Sequence, residues 1–369
     1  MITIGLIVLG LVALVCGAEL LVRGGSRLAA EIGVSSLIIG LTVVSFGTSA
    51  PEATVSVSSA LSGQASIAVG NVVGSNIFNV LFILGVSAMI VPLTVNQRLI
   101  RFDVPLMIGV SLLLWAFSLD GNLGRIEGGI LVGGLLAYTG WCLKIGQQES
   151  PAIQQEYATA FGSAPTATAH QKTPSYGRVS RLWWHGLMVM AGLGLLVLGG
   201  NWLVNGATQL ARNIGISELV IGLTIVAAGT SLPEVATSLV AAFRGENDIA
   251  VGNVVGSNVF NILGVLGLSA AVAPTGVSIA DQALQFHIPV MTLVAVACLP
   301  ITFTGHQVAR WEGALFVAYY VAYTATVVIL ANGSPVLPVF RLLMIGFVIP
   351  LTAVTLTVLA IRFATQQAR

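Results

Sequence analysis

The chain has 369 residues, of which 56% are apolar and only 8% charged, with a formal net charge of +1. A water-soluble domain needs about 25% charged residues to cover its surface, so that class is excluded, and the near-neutral balance points to no nucleic-acid or acidic partner. Cys16, Cys142 and Cys298 stand in apolar runs without CxxC or Cys/His spacing, which reads as small core hydrophobes and not as a metal or disulfide site.

In chain order, long apolar runs predict membrane-spanning helices over about 3–22, 36–62, 65–92, 103–119 and 126–145. A second set follows over about 184–205, 217–243, 246–273, 284–304 and 311–331, and Leu342 to Ile361 makes an eleventh run. No basic residue precedes the first run, and Gly17 and Val22 within it match Gly199 and Val204. It therefore reads as a retained span and not as a cleaved signal. Gly146 to Arg181 is rich in Gln, Ala, Ser, Thr and Pro, the composition of a flexible cytoplasmic link. The expected division is 1–145, a link over 146–181, 182–333, and an extra span with a tail over 334–369.

The two large parts share one stretch. GTSAPE (Gly47 to Glu52) and IAVGNVVGSNIFN (Ile67 to Asn79) recur as GTSLPE (Gly229 to Glu234) and IAVGNVVGSNVFN (Ile249 to Asn261), always 182 residues on. In the longer block only Ile77 and Val259 differ. Phe102-Asp103 before Pro105 recurs as Phe286-His287 before Pro289, and the RxEG of Arg125 to Gly128 recurs at Arg310 to Gly313. Five spans is an odd number, so the second copy enters the membrane upside down, the pattern of secondary transporters. The fold class expected is an all-α polytopic membrane protein: two inverted five-helix repeats forming a ten-helix core, plus an additional C-terminal transmembrane helix. With the N-terminus outside, only Arg125, Arg212 and Arg341 of the 15 Lys and Arg fall outside. That asymmetry puts the C-terminus in the cytoplasm of a cell bounded by this plasma (inner) membrane.

Gly47 with Pro51, and Gly229 with Pro233, predict a break inside the second and seventh spans. Freed backbone at membrane depth persists only where it is buried in protein or binds something. Ser49 and Glu52, like Ser231 and Glu234, have the S-x-x-E spacing of a capping box. A mere helix restart, however, gives no reason for two carboxylates in the membrane. Ser75 and Asn79 share a helix face, as do Ser257 and Asn261. Gly70 and Gly74 form a GxxxG suited to close helix packing. Asn71, Asn76, Asn253 and Asn258 are expected to satisfy broken backbone. Glu52 and Glu234 should face each other near the midplane, ringed by hydroxyl, amide and carbonyl oxygens. That donor set suits a hard cation such as Ca2+ or Na+. Protons are the alternative occupant, since two facing carboxylates cannot both stay bare.

The paired GTS-x-PE and GNVVGSN-x-FN motifs resemble the α-repeats of the sodium/calcium exchanger (cation/Ca2+ antiporter) superfamily, most closely its prokaryotic branch, over the first ten spans. The resemblance implies exchange of Ca2+ for Na+ by alternating access. It implies Ca2+ binding by Glu52 and Glu234, backbone carbonyls from Thr48 and Thr230, and Na+ sites aided by Ser49, Ser231, Ser75 and Ser257. The family's carbonyl position beside the break falls on Ala227 and on Ser45. Asn261, the match of Asn79, stands where the potassium-dependent branch carries Asp, so potassium dependence is not implied. The partners expected are the lipid bilayer, Ca2+ and Na+, with H+ as the other counter-ion, and no cofactor. A channel would not need inverted halves. An intramembrane hydrolase would need a base beside Ser49, and no repeated His or Lys supplies one. Of the remaining polar residues, Glu19 (matched by Asn201) reads as an interfacial carboxylate. Asp103, Glu127 and Glu312 are expected to be solvated at span ends. His170, His185, His287 and His306 lack metal spacing, and His287 is expected at the interface.

Overall fold

The computed structural model describes residues 2–146, 175–214, 227–303 and 306–331. Most of the link with His170, the first part of the seventh span and the eleventh run lie outside the described residues. The first half supplies α1 (Ile2–Ile32), α2 (Ser36–Thr48), α3 (Ala50–Leu61), α4 (Ala65–Ile90), α5 (Leu99–Phe117) and α6 (Arg125–Gly146). The second supplies α7 (Ser175–Asn213), the short α8 (Ala227–Gly229), α9 (Leu232–Phe243), α10 (Asn247–Val272), α11 (Ile288–Phe303) and α12 (Arg310–Ala331). Among the described residues, seven helices are long and apolar enough to cross a membrane, and α2 with α3 makes an eighth. Two shorter apolar helices, Leu232–Phe243 and Ala283–Leu299, stand at the places of the seventh and ninth predicted spans. Large apolar side chains such as Ile4, Leu9 and Val15 on α1 point outward and are more than half exposed, as expected of a protein solvated by lipid.

The predicted break is present. α2 and α3 meet at Ser49 with a 47° bend. Pro51 sits in the first turn of α3, as Pro233 does in α9, where a missing N–H costs nothing. The turns from α3 to α4 and from α9 to α10 pass through Gly63 (φ 74°) and Gly245 (φ 76°), a left-handed conformation that favours glycine.

Contacts between the halves come in exchanged pairs. Strand β1 (Leu93–Thr94) pairs antiparallel with β4 (Gln307–Val308), and β2 (Asn122–Leu123) with β3 (Val277–Ser278). Each pair joins the connector after the third span of one half to the connector before the fifth span of the other. Glycines do the same for the helices. A methyl group on Gly17 of α1 would lie 2.8 Å from the Gly192 carbonyl of α7, and one on Gly192 would lie 2.7 Å from the Gly17 carbonyl. Gly10 with Gly199 and Gly85 with Gly313 are comparably close, and a methyl on Gly128 would lie 2.7 Å from the Gly267 carbonyl. Backbone approach of this kind needs residues without Cβ. It also gives the repeated glycine of RxEG a packing role. At the matching pair in the second copy, a methyl on Gly252 would lie 3.2 Å from the Leu37 carbonyl and one on Gly256 2.7 Å from the Leu41 carbonyl. A methyl on Gly70 or Gly74 would meet no described atom of a neighbouring element within 4 Å, so the close packing expected of this pair is not seen among the described residues; residues 219–223, matching Leu37 to Leu41, lie outside them.

Two expectations fail. Asp103 is fully buried and Glu312 is 3% exposed, so neither is solvated. A π-helical turn over Leu99–Asp103 winds Asp103 inward, where Tyr138 Oη donates to it at 2.9 Å and Arg98 stands 3.7 Å away. Glu312 accepts the Ala309 backbone N–H at 2.8 Å, fixing the start of α12. Glu127 is partly exposed. His287, at the place of Asp103 in the second half, is half-buried with Nδ1 2.9 Å from Tyr323 Oη.

Candidate cation site

The break places Thr48, Ser49 and Glu52 where α2 meets α3, and Thr230, Ser231 and Glu234 where α8 meets α9. Helices α4 and α10 lay their repeated polar faces against these breaks. Glu52 is fully buried and Glu234 is 1% exposed. Neither has a basic partner among the described salt bridges.

The serines do not cap their own helices. Ser49 and Ser231 stand just before α3 and α9, in the N-cap position, but neither makes a side-chain cap bond. Ser49 Oγ instead donates to Glu234 Oε1 at 3.0 Å, and Ser231 Oγ donates to Glu52 Oε1 at 2.9 Å. Each carboxylate is therefore oriented by the hydroxyl of the other half. Ser75 Oγ lies 3.1 Å from Ser231 Oγ, while the buried Ser257 Oγ has no partner.

The asparagines complete the crossing. Asn71 Nδ2 donates to the Glu52 carbonyl at 3.3 Å and to Ser56 Oγ at 2.9 Å, and Asn253 does the same to the Glu234 carbonyl (3.5 Å) and Ser238 Oγ (3.0 Å). Their side-chain oxygens accept from across the interface: Thr48 Oγ1 reaches Asn253 at 3.1 Å, and Thr230 Oγ1 reaches Asn71 at 3.4 Å. Asn79 Nδ2 donates to Asn258 Oδ1, and Asn261 Nδ2 to Asn76 Oδ1, each at 3.1 Å. Asn71 and Asn253 thus satisfy backbone as expected, whereas Asn76 and Asn258 chiefly join the two halves. Ser45 Oγ donates to the Gly40 carbonyl at 2.5 Å and lies 3.3 Å from the Asn253 carbonyl, so its hydroxyl serves packing. Ala227 opens α8.

Four acceptors are left over. Glu52 Oε2, Glu234 Oε2, Asn79 Oδ1 and Asn261 Oδ1 are buried and accept nothing. Buried polar atoms are normally paired, and bare carboxylates in a low-dielectric interior are costly. Oxygens alone, two of them from carboxyl groups, are the donor set of a hard cation. Neither the crossed serine bonds nor the π-helical turns Asn79–Leu84 and Asn261–Leu266 were read from the sequence. The turns begin at the two asparagines, and such wide turns gather at functional sites. The one signal for the crossing was that Ser and Glu recur together in both copies.

A family model described as sodium/calcium exchanger protein matches residues 2–144 and 184–329. The putative antiporter CaxA of Alkalimonas amylolytica is 35% identical over 320 residues, 86% of this chain and 96% of the relative. The sodium/calcium exchanger MaX1 of Methanosarcina acetivorans is 32% identical over 345 residues, 88% and 98% of the two chains. Among solved structures, the sodium-calcium exchanger NCX_Mj soaked with Na+ and without Ca2+ superposes with a TM-score of 0.74 at 27% identity, covering 88% of this chain and 98% of that one. Together with the repeated motifs and the crossed oxygen site, these matches identify the chain as a member of the sodium/calcium exchanger family, a multi-pass membrane antiporter and not an enzyme.

Proposed function

We propose that this protein exchanges Ca2+ for Na+ by alternating access, with Glu52 and Glu234 binding Ca2+ between the halves. One observation carries the reading: four buried acceptor oxygens, two from carboxyl groups and two from amides, stand at matched positions of the two halves and have no donor. A single proton satisfies one oxygen, whereas a cation coordinates several at once. The hydroxyls of Ser49, Ser231, Ser75 and Ser257 and the carbonyls near Thr48, Thr230, Ser45 and Ala227 supply more neutral oxygens than one Ca2+ takes, which favours Na+ over H+ as the counter-ion. The relatives named for sodium/calcium exchange support the same choice. The halves 1–145 and 182–333 act as the two inverted units, and the basic-residue asymmetry supports an N-terminus on the outside.

The test is Ca2+ uptake into proteoliposomes loaded with Na+ or with choline, with pH equal and clamped on both sides. Uptake driven by the outward Na+ gradient is the expected result. Uptake driven by a pH gradient, with none from Na+, would replace this reading with proton/calcium exchange.

A further inference from the structure

Glu19 touches neither the site nor its packing, yet it is firmly held. Arg23, one turn along α1, stands 2.5 Å from it, and Arg244 at the end of α9 engages it through Nε at 2.5 Å and through Nη2. Two turns beyond Glu19 on the same helix, Ser26 Oγ donates at 2.7 Å to Glu246, which is 7% exposed. Helix α1 is thereby fastened to the turn between α9 and α10.

The repeat provides an internal control. Shifted by 182 residues, Glu19, Arg23, Arg244 and Glu246 correspond to Asn201, Asn205, Ser62 and Gln64. Every charge has become neutral. The matching helix contact is also slight: α1 packs along α9, but α7 barely touches α3. Asn201 is exposed, and the hydroxyl of Thr208, the match of Ser26, is buried without a partner. The same two ends differ at the site itself. Gly70 is exposed and Asn71 partly exposed, whereas Gly252 and Asn253 are buried. The repeated residues are buried at the charged end and exposed or partly exposed at the neutral end.

We propose that the Glu19–Arg244 pair is a positioning latch of the transport cycle. It holds α1 on the α9–α10 turn, closes the site at that end, and biases the carrier toward the state open beside Asn71. The inference rests on the alternating-access reading above, but its readout needs no ion flux. In that reading the latched end is cytoplasmic. Exposed ion pairs are modest, so removing this one should shift the balance of states by about two- to fivefold.

Amide hydrogen exchange of the purified full chain in nanodiscs, at fixed Na+ and Ca2+, reads that balance. R244Q and E19Q should each speed exchange over 249–257 relative to 67–75 by that factor. The E19Q/R244Q double variant should do no more than either single one, because the two residues act as a unit. N201E/S62R, which installs the pair at the opposite end, should move the ratio the other way, and it decides the matter if R244Q fails to fold. An unchanged ratio in folded R244Q and N201E/S62R, or additive effects of E19Q and R244Q, would overturn the latch. Loss of Na+-driven uptake by the wild type would count against the ion assignment and leave this result intact.

Discussion

Ile67–Asn79 and Ile249–Asn261 differ at one position, yet the structure treats them differently. Ile249 and Asn253 are fully buried; Ile67 is 46% exposed and Asn71 partly exposed. Identical side chains have identical intrinsic preferences, so the difference lies in what surrounds them. Leu37 to Ser45 of α2 press on Gly252 and Gly256 of α10, while no described atom does so at Gly70 and Gly74. On the reading proposed here, the asymmetry is a property of one conformational state, and exchange of the two environments is the transport step.

The strongest way to break that comparison is at its symmetric centre. If both halves contribute equally to one site, E52Q and E234Q should each lower Ca2+ uptake by at least about a hundredfold, with the purified protein still monodisperse. Uptake at the wild-type rate by either variant would show that the halves are chemically unequal.

A smaller effect sharpens the crossing. S49A leaves Glu234 Oε1 without its donor, and S231A does the same to Glu52 Oε1. A hydrogen bond to a charged group contributes about 1.5–3 kcal/mol, so each variant should weaken apparent Ca2+ affinity about tenfold or more. Under a local capping role, each would instead cost about 1 kcal/mol of stability and leave affinity unchanged. Measuring Ca2+ affinity and thermal unfolding on the same sample separates the two.

The glycines test the asymmetry itself. A methyl on Gly256 would collide with Leu41 and Ser45, whereas no described atom lies within 4 Å of one on Gly74. G256A should therefore destabilise the protein by about 1–3 kcal/mol, the usual cost of overpacking. G74A should leave thermal stability close to wild type but slow transport, because the other state must bring α4 into the crowded position. Equal loss of stability in the two variants would mean that the observed difference in surroundings has no energetic weight.

The sequence carried the repeat, the break at Gly47–Pro51 and the identity of the oxygen-bearing residues, because each is a local pattern recurring at a fixed offset. It misled wherever a partner was distant in the chain. Ser49 looked like a cap for Glu52 three residues on, but its acceptor is Glu234, 185 residues away. Asp103 looked solvated at a span end, but a π-helical turn winds it toward Tyr138. No residue spacing announces such a turn, which inserts one residue into an otherwise ordinary helix. The inequality of the two copies was equally hidden, since identical residues cannot encode it. The flanks do differ: Glu19, Arg23, Arg244 and Glu246 are matched by Asn201, Asn205, Ser62 and Gln64.

The smallest effect concerns the same flank. Glu246 lies in the turn before α10, outside the spanning segment, and burial pushes its carboxyl above the ordinary value. The Ser26 hydroxyl and Arg244 oppose that rise, and Asp248 adds to it. The folded protein therefore holds this proton more readily than the unfolded chain. Stability from this group is fully present below the ordinary carboxylate value of 4.5 and is lost as pH rises through the higher folded value. E246Q keeps an oxygen for Ser26 and stays neutral at every pH, which makes this end resemble the Gln64 end. The difference in Tm between E246Q and wild type should be near zero at the acid side. It should grow in favour of E246Q by about 1–2 °C toward neutral pH, as thermal unfolding in detergent from about pH 4 to 8 would show. A constant difference across that range would mean that Glu246 does not titrate differently in the folded protein, and that the charge at this end bears only on the latch.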